Sequence, residues 1–191
     1  MKQTRTGKST VAAMFAKRGA RVIDADAITR DLLTLDKKCI KKVAKVFPGV
    51  ILNSSTVNRS ELAKIVFKNP RELQKLTDIL IPEALKVVKS QISRYKHESL
   101  IVLDAPLLFE SGWDKITDTT LVVKAKRAQQ IERAQKRLGI TPGDIMRRLK
   151  NQMALKEKCD MADIIIDNSR DLKHTQNQVD EIMNVILRRH Q

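Results

Sequence analysis

The apolar residues of this chain form short continuous runs separated by stretches of helical spacing. Three of the runs are Leu100–Asp104, Thr119–Val123 and Ile164–Asp167. Continuous rather than alternating apolar runs are typical of strands buried on both faces, so they predict a parallel sheet. A fourth short strand is predicted at Arg21–Asp24. The pattern therefore indicates an α/β fold, with helices covering both faces of a parallel sheet.

Helical spacing fills the intervals between these strands. It predicts helices over residues 9–17, 25–35, 38–47 and 172–189, and a helical insertion from about 50 to 97. Residues 50–57, at the start of the insertion, are expected to be either irregular or a short hairpin-like segment. Within the insertion, Asn58 and Glu61 resemble a capping box, and Pro70 and Pro82 each predict a helix start. The apolar side chains expected to face inward include Leu62, Ile65, Val66, Val88, Leu172, Val179, Ile182 and Ile186.

Length and composition favour one cytoplasmic domain with inserted parts. The chain has 191 residues, of which 42% are hydrophobic, enough for a sizeable core. No apolar run approaches the ~20 residues of a membrane span, so we expect no membrane partner. Cys39 and Cys159 are isolated thiols without metal-ligand spacing, which suits a reducing compartment.

The net charge of +15 allows two interpretations. A basic surface recruits nucleic acid, and it equally suits a protein that handles polyanionic small molecules. Residues 124–150 contain nine basic and two acidic side chains, whereas the lysines at 37–45 are expected on the wet face of a helix. Trp113 and Tyr95 stand alone, so a stacking platform for single strands is absent from the sequence.

A candidate phosphate site lies at the start of the chain. The segment Thr6-Gly7-Lys8-Ser9-Thr10 resembles the second half of a P-loop that runs into its helix. Backbone N–H groups at a helix N-terminus face an anion, Lys8 would reach the β- and γ-phosphates, and the Ser9 hydroxyl would bind Mg²⁺. The first glycine of the full pattern is replaced by Lys2, and no apolar strand precedes the loop.

Three carboxylates follow predicted strands. Because ligands of such sheets sit at the carboxyl ends of the strands, Asp24, Asp26 and Asp104 are candidates for chemistry. Asp26 and Asp104 would orient Mg²⁺ or accept a hydroxyl proton. For Asp24 we favour a helix cap, a role in which aspartate is common.

These segments together resemble the dephospho-CoA kinases. The resemblance rests on a concatenation of short pieces in the right order, from residue 6 to about 188. They are Val22-Ile23-Asp24-Ala25-Asp26 with Arg30, Asn58-Arg59-Ser60-Glu61-Leu62, Asp104-Ala105-Pro106-Leu107-Leu108-Phe109-Glu110, then Arg133, Arg137, Gly139, Arg148-Leu149 and Gln152, and finally Ala162-Asp163 and Asp167-Asn168-Ser169. The resemblance implies a P-loop kinase fold and transfer of the ATP γ-phosphoryl group to the ribose 3′-hydroxyl of dephospho-CoA.

The same resemblance implies roles for individual residues. Asp26 would be the catalytic base, assisted by Lys8 and Arg137, and Ser9 would hold the Mg²⁺. ATP would be bound by Arg5, Thr6, Gly7, Lys8, Ser9, Thr10, Arg133, Arg148 and Asn168, and dephospho-CoA by Arg30, Arg59, Asp104 and Leu107. Residues 1–49, 98–123 and 153–191 would form the nucleotide-binding core, residues 50–97 a CoA-binding domain and residues 124–152 a lid. ATP and dephospho-CoA are then the expected partners, and nucleic acid is not.

Several positions depart from the family pattern. Beside the absent first half of the P-loop, Asp36 and Pro48 replace glycines, and Ile81-Pro82 stands where the family has His-Pro. Either the start of the sequence lies downstream of the true one, which we prefer, or the chain is a weakened relative whose truncated P-loop impairs it. Two alternatives remain from the residues themselves: another P-loop nucleoside or nucleotide kinase, and an inert basic nucleic-acid-binding relative.

Overall fold

The computed structural model describes residues 6–52, 56–138, 141, 143, 145–146 and 152–188. Its strands are β1 Arg21–Asp24, β2 Ile51–Leu52, β3 Thr56–Val57, β4 Ile101–Asp104, β5 Leu121–Lys124 and β6 Ile164–Asp167. The α-helices with described bounds are α1 Lys8–Ala16, α2 Ala25–Thr34, α3 Lys37–Val46, α4 Arg59–Val66, α5 Pro70–Arg94, α6 Arg127–Leu138, α7 Leu155–Met161 and α8 Leu172–Arg188. Pro48–Val50 and Trp113–Ile116 form short 3₁₀ helices.

The strands pair in three two-stranded ladders within the described residues. β5 and β6 are parallel, in register from Leu121 opposite Ile164 to Lys124 opposite Asp167. β1 lies beside β4, and β2 and β3 form an antiparallel hairpin, which is one of the two alternatives expected for residues 50–57. The α/β fold class predicted from the sequence is confirmed.

The chain divides into two compact units, one of them formed by residues 24–94. In this unit the helices α2 to α5 pack around a core of aliphatic side chains. Its buried residues include Ile28, Leu32, Leu33, Ile40, Val43, Leu62, Val66, Leu76, Leu80, Ala84 and Val88. The unit includes most of residues 50–97, for which the resemblance implies a CoA-binding domain, and that assignment stays a prediction.

Two details of this helical unit differ from the sequence-based expectations. Pro82 lies inside α5, which runs unbroken from residue 70 to 94. An internal proline removes a helical hydrogen bond, and the buried stripe on both sides of it holds the helix together. Ile65 is 39% exposed because α4 turns only Leu62 and Val66 inward.

Only half of the predicted capping box is present at α4. The Asn58 side-chain oxygen accepts hydrogen bonds from the N–H groups of Ser60 and Glu61, both at 3.2 Å. The Glu61 carboxylate pairs with Lys64, three residues later, instead of returning to the cap residue. The Asn58 N–H group donates to the Val50 carbonyl at 2.6 Å, which satisfies that donor without Glu61.

The other unit contains residues 6–23 and the described residues from 95 onward. Helices α1 and α8 pack together and against the strands, and their apolar faces form its core. The core comprises Val11, Met14, Phe15, Ala20, Val123, Ile166, Val179 and Met183, flanked by Leu100, Val102, Leu121 and Ile182. Leu172, predicted to face inward, is 62% exposed because it is the first residue of α8, one turn before the packed part.

Two further observations concern the expected compartment. Among the described residues, no helix is both long and apolar enough to cross a membrane. Cys39 and Cys159 are both free thiols. Burial raises the pKa of the Cys39 thiol to about 11, with smaller contributions from Asp36 and Glu83. Cys39 therefore stays protonated at neutral pH.

Candidate active site

The helix α1 begins as a phosphate-binding helix would. Gly7 caps it in the left-handed region, with φ at 98°, a conformation that other residues adopt only with strain. A Cβ atom at this position would also collide with the side-chain amide of Asn168. The Gly7 carbonyl accepts from the N–H groups of Thr10 and Val11, at 2.9 and 3.0 Å, which sets the first turn. The glycine of the predicted motif is thus required by the backbone and by its neighbour.

Lys8, the first residue of α1, forms an ion pair with Asp104 at the end of β4. The lysine side chain is 35% exposed and the aspartate side chain only 6%. A buried carboxylate is stable only beside a compensating charge or donors, so this pair stabilises both groups and holds the lysine at the mouth of the loop. The sequence proposed both residues separately, and the structure brings them together.

Two more of the proposed ATP-binding residues converge on the same loop. The Asn168 side chain, just after β6, donates to the Thr6 carbonyl at 2.6 Å. Arg133 of α6 donates to the Asn168 carbonyl at 3.3 Å, with its other terminal nitrogen 3.5 Å from the Thr6 carbonyl. Although they are far apart in sequence, these side chains secure the entry to α1.

The remaining loop residues of the motif face outward. Ser9 and Thr10 are exposed in the first turn of α1. Three of the predicted site residues, two for ATP binding and one for catalysis, fall on parts of the chain that the structure does not describe. Arg5 and Arg148 lie outside the described residues, as does the side chain of Arg137.

In the unit formed by residues 24–94, the residues proposed for chemistry and substrate binding lie on or next to the helices α2 and α4. Asp24 caps α2, its carboxylate accepting from the Ala27 N–H group at 3.0 Å, as predicted. Asp26 is half-buried in the first turn of the same helix. Arg30 is exposed, with its Nε 3.7 Å from the Asp31 carboxylate, and Arg59 is exposed at the first position of α4.

The turn after β4, which contains Leu107, is fastened to α7. Lys158 of α7 donates to the Pro106 carbonyl at 3.0 Å and pairs with Glu110 at 2.7 Å. The Glu110 carboxylate also accepts from the Met153 N–H group at 3.1 Å. Contacts from Lys158 and Met153 therefore both hold the turn that follows Asp104. Leu107 itself is half-buried in this turn.

Sequence reasoning overlooked Thr175 of α8. Its hydroxyl donates to the Asn168 side-chain oxygen at 2.9 Å, and the residue is fully buried. The sequence did contain a signal. Thr175 lies four residues before Val179, so it falls on the helix face whose side chains were predicted to point inward, from Leu172 onward. A polar residue in that stripe indicates a buried hydrogen bond.

Comparison with known proteins identifies the family. The family model for dephospho-CoA kinase matches residues 4–174. The chain belongs to the dephospho-CoA kinase family. It is 36% identical to the dephospho-CoA kinase of Bacillus licheniformis over 181 residues, 93% of this chain and 90% of that protein. It is 38% identical to that of Symbiobacterium thermophilum over 178 residues, 92% of this chain and 74% of that protein.

Solved structures agree with this dephospho-CoA kinase assignment at the level of the fold. A protein of Thermus thermophilus superimposes with a TM-score of 0.80 at 28% identity, covering 95% of this chain and 93% of its own. A dephospho-CoA kinase from Campylobacter jejuni gives 0.68 at 22% identity, covering 97% and 94%. The predicted kinase fold is confirmed.

Proposed function

We propose that this chain transfers the γ-phosphoryl group of ATP to the ribose 3′-hydroxyl of dephospho-CoA, yielding coenzyme A. The observation that carries the proposal is the Lys8–Asp104 pair at the start of α1. It holds a cation at a helix N-terminus, where backbone N–H groups and the helix dipole already favour an anion. Family membership gives the phosphate-bearing substrates.

ATP phosphates would replace part of the Asp104 interaction with Lys8. The partly exposed lysine would turn toward the β- and γ-phosphates while the N–H groups of the Gly7–Thr10 turn donate to the same anion. Arg133 and Asn168, already against Thr6, would contact the nucleotide beside the loop. In this assignment Arg5, Arg137 and Arg148 would add positive charge around the transferred group.

The residues present fit a magnesium ion carried in with ATP. Among the described residues, no group of three or more His, Cys, Asp or Glu side chains is placed to hold a metal by itself. Mg²⁺ in kinases needs few protein ligands, since substrate phosphates and waters supply most of its oxygens. The exposed Ser9 hydroxyl would be that protein ligand. When bound, the ion would offset the negative charge on the phosphates.

Asp26 is the proposed base for the ribose hydroxyl. Asp24 serves as the helix cap, and Asp26 lies in the first turn of α2, where the helix dipole stabilises a carboxylate. Accepting the hydroxyl proton as the phosphoryl group arrives would make the ribose oxygen a better nucleophile.

Arg30, Arg59 and Leu107 are proposed to bind the acceptor, together with the predicted CoA-binding domain of residues 50–97. We place the protein in the cytoplasm, where both thiols stay reduced.

The test is phosphoryl transfer from ATP to purified chain with different acceptors. We expect dephospho-CoA to be phosphorylated and adenosine, AMP and GMP not to be. Lys8→Ala should reduce turnover by orders of magnitude. Because it also removes the charge that compensates the buried Asp104, turnover is measured at a temperature at which circular dichroism shows the variant to be folded. Lys17→Ala, an exposed lysine at the other end of α1, is the matched control and should behave as wild type. Equal activity on AMP would favour the alternative of another nucleotide kinase.

A further inference from the structure

Thr175 occupies a position that packing alone would give to an apolar residue. On α8 it precedes the buried side chains Val179 and Met183, and like Val179 it is 0% exposed. Burying a hydroxyl is costly unless it forms a hydrogen bond. Its bond here is to the Asn168 side-chain oxygen at 2.9 Å, while the backbone acceptor one turn earlier, Asp171, is more distant at 3.3 Å.

Two hydrogen bonds, one to Thr6 and one from Thr175, together hold the Asn168 amide in one orientation. The hydroxyl donates to Oδ1, so Nδ2 faces the Thr6 carbonyl and donates to it at 2.6 Å. The Thr6 carbonyl only accepts, so a flipped amide would bring two acceptor oxygens together there. The Thr175 hydroxyl donates to Oδ1 and so holds the Asn168 side chain in the orientation that this carbonyl requires. Asn168 is only 7% exposed, so water would compensate poorly.

The orientation of Asn168 in turn fixes the entry to α1. The Thr6 carbonyl immediately precedes Gly7, whose left-handed conformation starts the helix. The amide of Asn168 also lies against the Gly7 Cα, where no Cβ would fit. Thr175, Asn168 and Thr6 therefore form a chain of contacts from the buried face of α8 to the phosphate loop.

We infer that Thr175 is a positioning residue for ATP, acting through Asn168 on the phosphate loop. The inference rests on the proposed function only in taking this loop as the ATP site. Without the hydroxyl, the loop spends less time in the binding-competent conformation, and the apparent affinity falls by that fraction. In the proposed function the acceptor binds through Arg30, Arg59 and Leu107 rather than through this loop, so we expect its KM to stay at the wild-type value.

The experiment compares four variants with the wild-type full chain. Thr175→Val keeps the shape of the side chain without the hydroxyl. Thr175→Ala also lacks the hydroxyl, and its smaller side chain excludes a steric clash as the cause of any effect. Thr175→Ser retains the hydroxyl. Thr120→Val is the matched control, because Thr120 is also buried and its hydroxyl bonds Asp163 at 2.7 Å, away from the loop. Calorimetry gives the ATP dissociation constant without acceptor. Steady-state assays give kcat and both KM values, and thermal unfolding gives Tm.

We expect the Kd and KM for ATP to rise about threefold to tenfold in Thr175→Val and Thr175→Ala, as for the loss of one hydrogen bond. The KM for dephospho-CoA should not change, and Thr175→Ser should stay within about twofold of wild type. Thr120→Val should lower Tm while its ATP Kd remains that of wild type.

Three results would overturn the inference. The first is wild-type ATP affinity in the two hydroxyl-free variants, and the second is equal impairment in Thr175→Ser. The third is a similar rise in Kd for Thr120→Val, which would indicate a general loss of stability. A wild-type chain that binds ATP but does not phosphorylate dephospho-CoA would refute the proposed function alone, since the calorimetric comparison still decides the role of Thr175.

Discussion

At the scale of single residues, Asp24 and Asp26 show how the backbone separates two nearly adjacent carboxylates. They lie two residues apart at the junction of β1 and α2. In an extended chain they would share a face, but the helix begins between them. Asp24 turns back to the Ala27 N–H group, and Asp26 belongs to the first helical turn. The sequence was sufficient to assign the cap, since aspartate before a helix favours that position.

The catalytic assignment predicts opposite results for the two residues. Asp26→Asn should lower turnover at least about a hundredfold, because the amide cannot accept the ribose proton, with ATP affinity nearly unchanged. Asp24→Asn should retain turnover, since asparagine caps helices about as well as aspartate. Asp24→Ala should reduce the free energy of unfolding by ~0.5–2 kcal/mol through the lost cap. Single-turnover rates and melting curves on the three variants measure both effects.

The reverse pattern would contradict the assignment. If Asp24→Asn abolishes transfer and Asp26→Asn does not, the two roles are exchanged. If neither variant loses activity, Asp104 becomes the leading candidate for the base, since its carboxylate already lies beside Lys8.

At the scale of elements, the starts of β5 and β6 are joined by a reciprocal pair of side chains. The Asp163 carboxylate accepts from both the N–H group and the hydroxyl of Thr120, each at 2.7 Å. The Thr120 hydroxyl in turn accepts from the Asp163 N–H group at 3.1 Å. The hydrogen bonds from Thr120 lower the pKa of the Asp163 carboxyl below its ordinary value. The bond from the Thr120 N–H group contributes most.

This pair predicts part of the acid sensitivity of the fold. A lowered folded-state pKa stabilises the protein above the ordinary pKa of aspartate, and the contribution disappears as pH falls through the folded value. Asp163→Asn should therefore lower Tm at neutral pH, and the difference from wild type should shrink below about pH 4. Asp160→Asn, a nearby exposed aspartate on α7, is the control. A difference that grows with acidity would contradict this account.

The elements also show where local patterns were and were not sufficient. Strands and most helices were predictable because their apolar runs carry the period of the structure. The continuity of α5 through Pro82 was not, because packing on both sides of the proline outweighs its local preference to begin a helix. Asp36 was noted only as a departure from the family. It caps α3, its carboxylate accepting from the Cys39 N–H group at 2.7 Å.

At the scale of the whole molecule, family likeness and local chemistry supply different parts of the candidate site. Gly7, Lys8 and Asp104 were predictable from motif and strand-end position. Asn168 and Arg133 came only from the resemblance, since nothing in their local sequence indicates that they meet at Thr6. Helical spacing could have shown that Thr175 is buried, but its role depends on a contact between α8 and Asn168 after β6, and no local pattern encodes that partner.

The net charge of +15 leads to a last prediction, on the salt dependence of binding. Much of this charge is on exposed lysines, such as those of α3, where a diffuse surface field attracts any polyanion at low salt. Random-sequence RNA should therefore bind at ~50 mM salt and lose about a thousandfold in affinity by ~200 mM, as counterion release from about seven phosphates of a single strand predicts. ATP should bind at both salt concentrations, because the loop adds directed N–H groups to its charge.

Titrations at several salt concentrations test this prediction, with Lys8→Ala as control. The variant should lose ATP binding, and the salt dependence of its RNA affinity should match that of wild type. RNA binding that persists at ~200 mM salt in a chain without ATP turnover would favour the inert nucleic-acid-binding alternative.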